Sequence, residues 1–134
     1  MRRGLAAGAI AAVVSGLPST IHALLTGRDA LEASKAAGTI LLPHETRTVP
    51  LLTAAGATHV ALSLGWGVVF AAVLPRTRTW FWGALAGCSI AAVDLGVIGS
   101  RFEKIRALPL APQLADHVAY GAVVGLVLER TRKA

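Results

Sequence analysis

The chain has 134 residues, 54% of them hydrophobic and only 15% charged, with a mean hydropathy of +0.63. Soluble domains carry about 25% charged residues, so this composition argues against an ordinary soluble globule and points to a membrane. The net charge of +6 would fit nucleic acid, but the basic residues sit at segment ends without interleaved aromatics, which argues against that partner.

The first predicted span covers residues 5–25. Arg2 and Arg3 before an apolar run resemble a secretory signal, but the uncharged stretch continues to Thr26 without a small-x-small cleavage site, so a retained span is expected. Gly8, Ala12, Ser15, Ser19 and His22 share one face, and Pro18 is expected to kink the helix just before His22. Residues 29–37 carry an N-cap aspartate, Asp29, a glutamate in the first turn, Glu32, and a glycine stop at Gly38, which predicts a short interfacial helix.

The second span, residues 51–74, is uncharged and long enough for a hydrocarbon core of about 30 Å at 1.5 Å per residue. Gly56, His59, Ser63 and Gly67 form a stripe of small and polar side chains along it. After the basic turn of Arg76 and Arg78, the third span covers residues 80–99. It opens on Trp80, Phe81 and Trp82, as a membrane–water boundary favours. Gly83 and Gly87 form a G-x-x-x-G pair with Asp94 two turns further on. Pro109 and Pro112 are expected breaks before the fourth span, residues 113–128, where His117, Gly121 and Gly125 share one row and Asp116 and Tyr120 the next. No internal repeat is evident.

These spans predict an all-α, single-domain, integral membrane four-helix bundle of up-down topology. The Lys/Arg bias favours both termini in the cytoplasm, with the lipid bilayer as the constant partner. His22, His59, Asp94, Asp116 and His117 all fall in the outer half by depth. They are therefore expected to converge, with Ser63 and Tyr120, on one outward-opening polar pocket. A purely structural polar cluster that fixes helix packing is the competing expectation.

Residues 58–59 and Ser63, a basic turn after a proline, Gly83-x-Leu85-Ala86-Gly87, and His117-Val-Ala-Tyr120 before a basic tail resemble YagU-type bacterial inner-membrane proteins. The resemblance covers residues from Pro50 onward. It implies a small four-helix protein linked to acid resistance, with His59 and His117 at the family's histidine positions; Asp94 falls near a third-helix histidine of the pattern but is a different residue.

The leading functional expectation is a pH-responsive or proton-handling protein, since histidine is the side chain that titrates near neutrality. A small oligomeric transporter or channel, with the glycine stripes forming a homodimer interface, is the alternative. The small multidrug-resistance exporters that it resembles in size carry a carboxylate in helix 1, which this chain lacks. No cofactor is expected. His22, His59, Asp94 and His117 could offer zinc an N/O set or haem a histidine pair, but no two histidines share i, i+4 spacing, and metal binding is left open. The absence of G-x-S-x-G and glycine-rich phosphate loops argues against an enzyme. The lone Cys88 excludes an internal disulfide.

Overall fold

The structure is a computed structural model that describes residues 1–133, all-helical with no strand among them. In chain order the elements are α1 (Arg2–Val14), α2 (Leu17–Leu25), α3 (Glu32–Gly38), α4 (Thr48–Val73) and α5 (Thr79–Val93). A π-helical turn (Asp94–Ile98) and a 3₁₀ turn (Gly99–Arg101) follow, then α6 (Glu103–Arg106) and α7 (Leu110–Lys133).

Among the described residues, three helical segments are long and apolar enough to cross a membrane: Arg2–Leu25, Thr48–Val73 and Thr79–Arg101. The fourth expected span, α7, does not join them. It is 24 residues long, but Gln113, Asp116 and His117 near one end and Glu129, Arg130 and Arg132 near the other dilute its apolar run. Its start also differs from expectation. Pro112 lies inside the first turn, where its missing N–H costs nothing, so it does not break the chain.

The first span is broken rather than kinked before His22. A proline ring clashes with the carbonyl four residues back, and α1 ends at Val14, four residues before Pro18. Gly16 then stands as the N-cap of α2, and Gly27, at φ +69°, closes α2 in the left-handed conformation that glycine tolerates best. In the loop after α3, Glu45 accepts hydrogen bonds from the Arg47 guanidinium and from the backbone N–H groups of Thr46 and Arg47. The Arg47 guanidinium, with those N–H groups, holds the Glu45 carboxyl down at about 2, so this exposed loop keeps its charge through mildly acidic pH.

Packing is organised by two glycine contacts of the same design. A methyl group on Gly4 would meet the Gly67 carbonyl oxygen at 2.7 Å, and one on Gly8 the Ser63 oxygen at 2.3 Å, so α1 and α4 touch backbone to backbone. On the other side, Gly83 would meet the Gly121 oxygen at 2.1 Å and Gly87 the His117 oxygen at 2.2 Å, joining α5 to α7. These pairs correspond position by position. Gly4, Ala7, Gly8, Ala12 and Val14 match Gly83, Ala86, Gly87, Ala91 and Val93 at one constant spacing. At a second constant spacing, Gly67, Val69, Val73, Leu74, Arg76, Thr77 and Arg78 match Gly121, Val123, Val127, Leu128, Arg130, Thr131 and Arg132. The chain therefore contains an internal repeat, contrary to the expectation of none: two helical hairpins, each with a short helix in its connecting loop. The repeat places Ser15, at the break of the first span, opposite Asp94, at the π turn.

The two hairpins meet through α1 and α7, around a core of Ala7, Ala11, Phe70, Tyr120, Val124 and Leu128. At the far end of α7, Glu129 accepts from the Thr79 N–H at the start of α5, and Arg132 donates to the Ala71 carbonyl at the end of α4. The outer helices α4 and α5, joined by the short basic turn, scarcely touch each other.

Candidate functional site

A cavity of about 600 Å³ lies between the hairpins, lined mainly by apolar side chains. His59, Ser63, Asp94, Asp116, His117 and Tyr120 all line it, so the structure brings together six of the seven residues singled out by sequence. His22 stands apart, in a small recess beside Glu32, Pro109 and Gln113, one turn beyond the α2 residues Leu17, Ser19 and Thr20 that line the main cavity.

Two of these residues tend the break in the first span. The end of α1 leaves carbonyl groups without helical donors, and the start of α2 leaves N–H groups without acceptors. His59 Nε2 lies 2.9 Å from the Ala12 carbonyl oxygen; since a carbonyl can only accept, Nε2 carries the proton and donates. From α7, Asp116 takes the Ser19 N–H on Oδ1 at 2.9 Å and the Ser19 hydroxyl on Oδ2. Ser19 is the third residue of α2, so Asp116 supplies from another helix the cap that Gly16 has no side chain to provide.

This role has a measurable consequence. Asp116→Leu should lower stability in detergent by about 1–2 kcal/mol, the usual cost of a lost N-cap, while Asp116→Asn, which keeps an acceptor, should lose less. Chemical unfolding in mixed micelles reads the difference; equal, negligible losses for both variants would remove Asp116 from the capping role.

The remaining polar residues are linked across the core. Tyr120 donates from its hydroxyl to the Ser63 carbonyl at 2.5 Å and packs its ring 6.2 Å from that of Phe70, tying α7 to α4. His117 is held from both sides. Its Nδ1 lies 2.8 Å from the Gln113 carbonyl oxygen and its Nε2 3.3 Å from Asp94 Oδ2. The carbonyl fixes the proton on Nδ1. The contact between Nε2 and the carboxylate oxygen is then a hydrogen bond only if one further proton lies between them, as imidazolium with carboxylate or as neutral imidazole with carboxylic acid. Asp116 and His59 face the same cavity.

Asp94 opens the π-helical turn. Such turns insert an extra residue into an α-helix and occur frequently at functional sites. Among the described residues no three His, Cys, Asp or Glu side chains are grouped closely enough to hold a metal ion.

Residues of α3 and of the α6 region, including Ala33, Ala37, Ile105 and Leu108, line the loop end of the cavity. The cause is local: Gly38 lets α3 sit directly on the Leu51 carbonyl, and Ile105 is buried. The poorly closed wall is the one between α4 and α5, where the lining side chains Leu62, Trp66 and Ile98 are exposed. No protein-family model, curated protein or solved structure matches the chain.

Proposed function

We propose that the chain crosses a bacterial inner membrane four times as an up-down four-helix bundle, both termini cytoplasmic, and that its cavity takes up and releases a proton at His117 and Asp94. One observation carries the reading: both ring nitrogens of His117 are committed to acceptors, so the pair requires a shared proton. An intramembrane ionisable pair is costly unless paired or watered, and it is a functional candidate by default. The repeat supports the four crossings, because α7 occupies in the second hairpin the place that α4 occupies in the first. The loop carboxylates Glu45 and Asp29 are held ionised by Arg47 and Lys35, outside the cavity. The YagU-type resemblance points toward acid stress as the setting.

Purified protein reconstituted in vesicles with a trapped pH dye tests the proposal. The wild-type chain should take up protons after an external acid jump, and His59→Ala/His117→Ala should abolish the response. An unchanged response in the double variant would refute it. A transport role is the second reading, favoured by a large cavity at the interface of two repeats and beside two interrupted helices, where transporters place their substrates.

A further inference from the structure

We infer that the cavity is a binding site for a hydrophobic organic cation, a protonated amine with an apolar body, taken up from the bilayer between α4 and α5 in exchange for the shared proton. The inference rests on the proton reading of His117 and Asp94 and adds the chemical class of the ligand.

Three features select that class. Among the described residues, Asp94 Oδ1 and His59 Nδ1 line the cavity without a hydrogen-bond partner, and both are acceptors at this tautomer, so the complementary head group is a donor. Among the described residues no lysine or arginine lines the cavity, whereas two aspartates do, so the favoured head group is cationic. The rest of the wall, with Leu62, Trp66, Ile90 and Leu95, takes an apolar body, and about 600 Å³ is within the usual range for a small-molecule site. Trp66 adds an aromatic ring to that wall.

The route follows from the packing. The cavity is bounded by the glycine contacts of α1 with α4 and of α5 with α7, and by α1 against α7; α3 and α6 lie over its loop end. The α4–α5 side lacks such a contact, and it faces the surface through exposed apolar residues, a route for a membrane-dissolved molecule. The exchange balances. An ammonium ion that pairs with the Asp94 carboxylate replaces the imidazolium charge; His117 gives up its Nε2 proton to water and stays neutral, with Nδ1–H on the Gln113 carbonyl.

The test uses the full chain in nanodiscs, with 1-naphthylmethylamine as probe and the isosteric 1-naphthylmethanol as neutral control. Calorimetry in two buffers of different ionisation enthalpy counts the protons released. The amine should bind saturably, about one per chain, with release of about one proton, and at least about tenfold more tightly than the alcohol. Asp94→Asn should erase that preference, Gly65→Ala should leave it unchanged, and His117→Gln should keep amine binding but release no proton. Equal binding of alcohol and amine, or an Asp94→Asn variant of unaltered preference, would overturn the inference. Amine binding to the wild type without proton release would contradict the exchange and the proton reading together. A His117–Asp94 pair that titrates in a protein that binds no amine would overturn this inference alone.

Discussion

Gly121→Ala is expected to separate α5 from α7 and to lower stability by about 1–3 kcal/mol or more, the usual cost of forcing a methyl group into a filled contact. The added Cβ would lie 2.0 Å from the Gly83 carbonyl oxygen, a backbone atom that cannot swing aside. In lipid, helices associate through such close packing and not through a hydrophobic drive, so no compensating force holds the pair together. Gly83→Ala strikes the same contact from the other helix, and the two losses should add to less than their sum. Gly65→Ala is the control. Nothing lies within 4 Å of its Cβ position, and alanine should be neutral or stabilising there by up to about 1 kcal/mol. Denaturant titration in micelles measures all three; a Gly121→Ala protein as stable as Gly65→Ala would mean that α5 and α7 do not meet as described.

The second large effect concerns the His117–Asp94 pair. His117→Leu should destabilise by about 3–5 kcal/mol, because it leaves a half-buried carboxylate without its partner. His117→Leu/Asp94→Leu should recover most of that loss, since replacing both partners by apolar groups removes the desolvation cost along with the attraction. The same double variant should show no proton uptake in vesicles. Stability and proton binding thus part company. If the double variant is no more stable than His117→Leu, the two residues do not act as a pair.

Much of this architecture is legible in the amino-acid order, for reasons that differ by feature. Apolar run length marks the membrane-crossing segments, and the spacing of Gly83 with Gly87 and of Gly121 with Gly125 marks the faces that meet. The polar residues of the cavity are readable from their shared depth, but their partners are not: Ser19 and Asp116 are 97 positions apart, and only the fold joins them. The sequence signal for Ser19 was present in Gly16 and Pro18, which together write a second helix start inside the first span. Reading Pro18 as a kink missed it, because the clash falls on Val14 and ends the helix there. The π turn at Asp94 has no clear local signature beyond Gly96 and Gly99. The repeat escapes a single-offset search because the loop between α2 and α4 is longer than that between the 3₁₀ turn and α7. Each helix of the hairpin therefore aligns at its own spacing.

The central claim is that His117 and Asp94 hold one proton between them inside the cavity. Nitrogen NMR of ¹⁵N-histidine-labelled protein in nanodiscs reads it directly at both ring nitrogens of His117. Nδ1 is expected to stay protonated on the Gln113 carbonyl across the pH range while Nε2 titrates, and Asp94→Asn is expected to move that titration. A His117 ring whose Nδ1 loses its proton, or whose Nε2 titration is unmoved by Asp94→Asn, would contradict it.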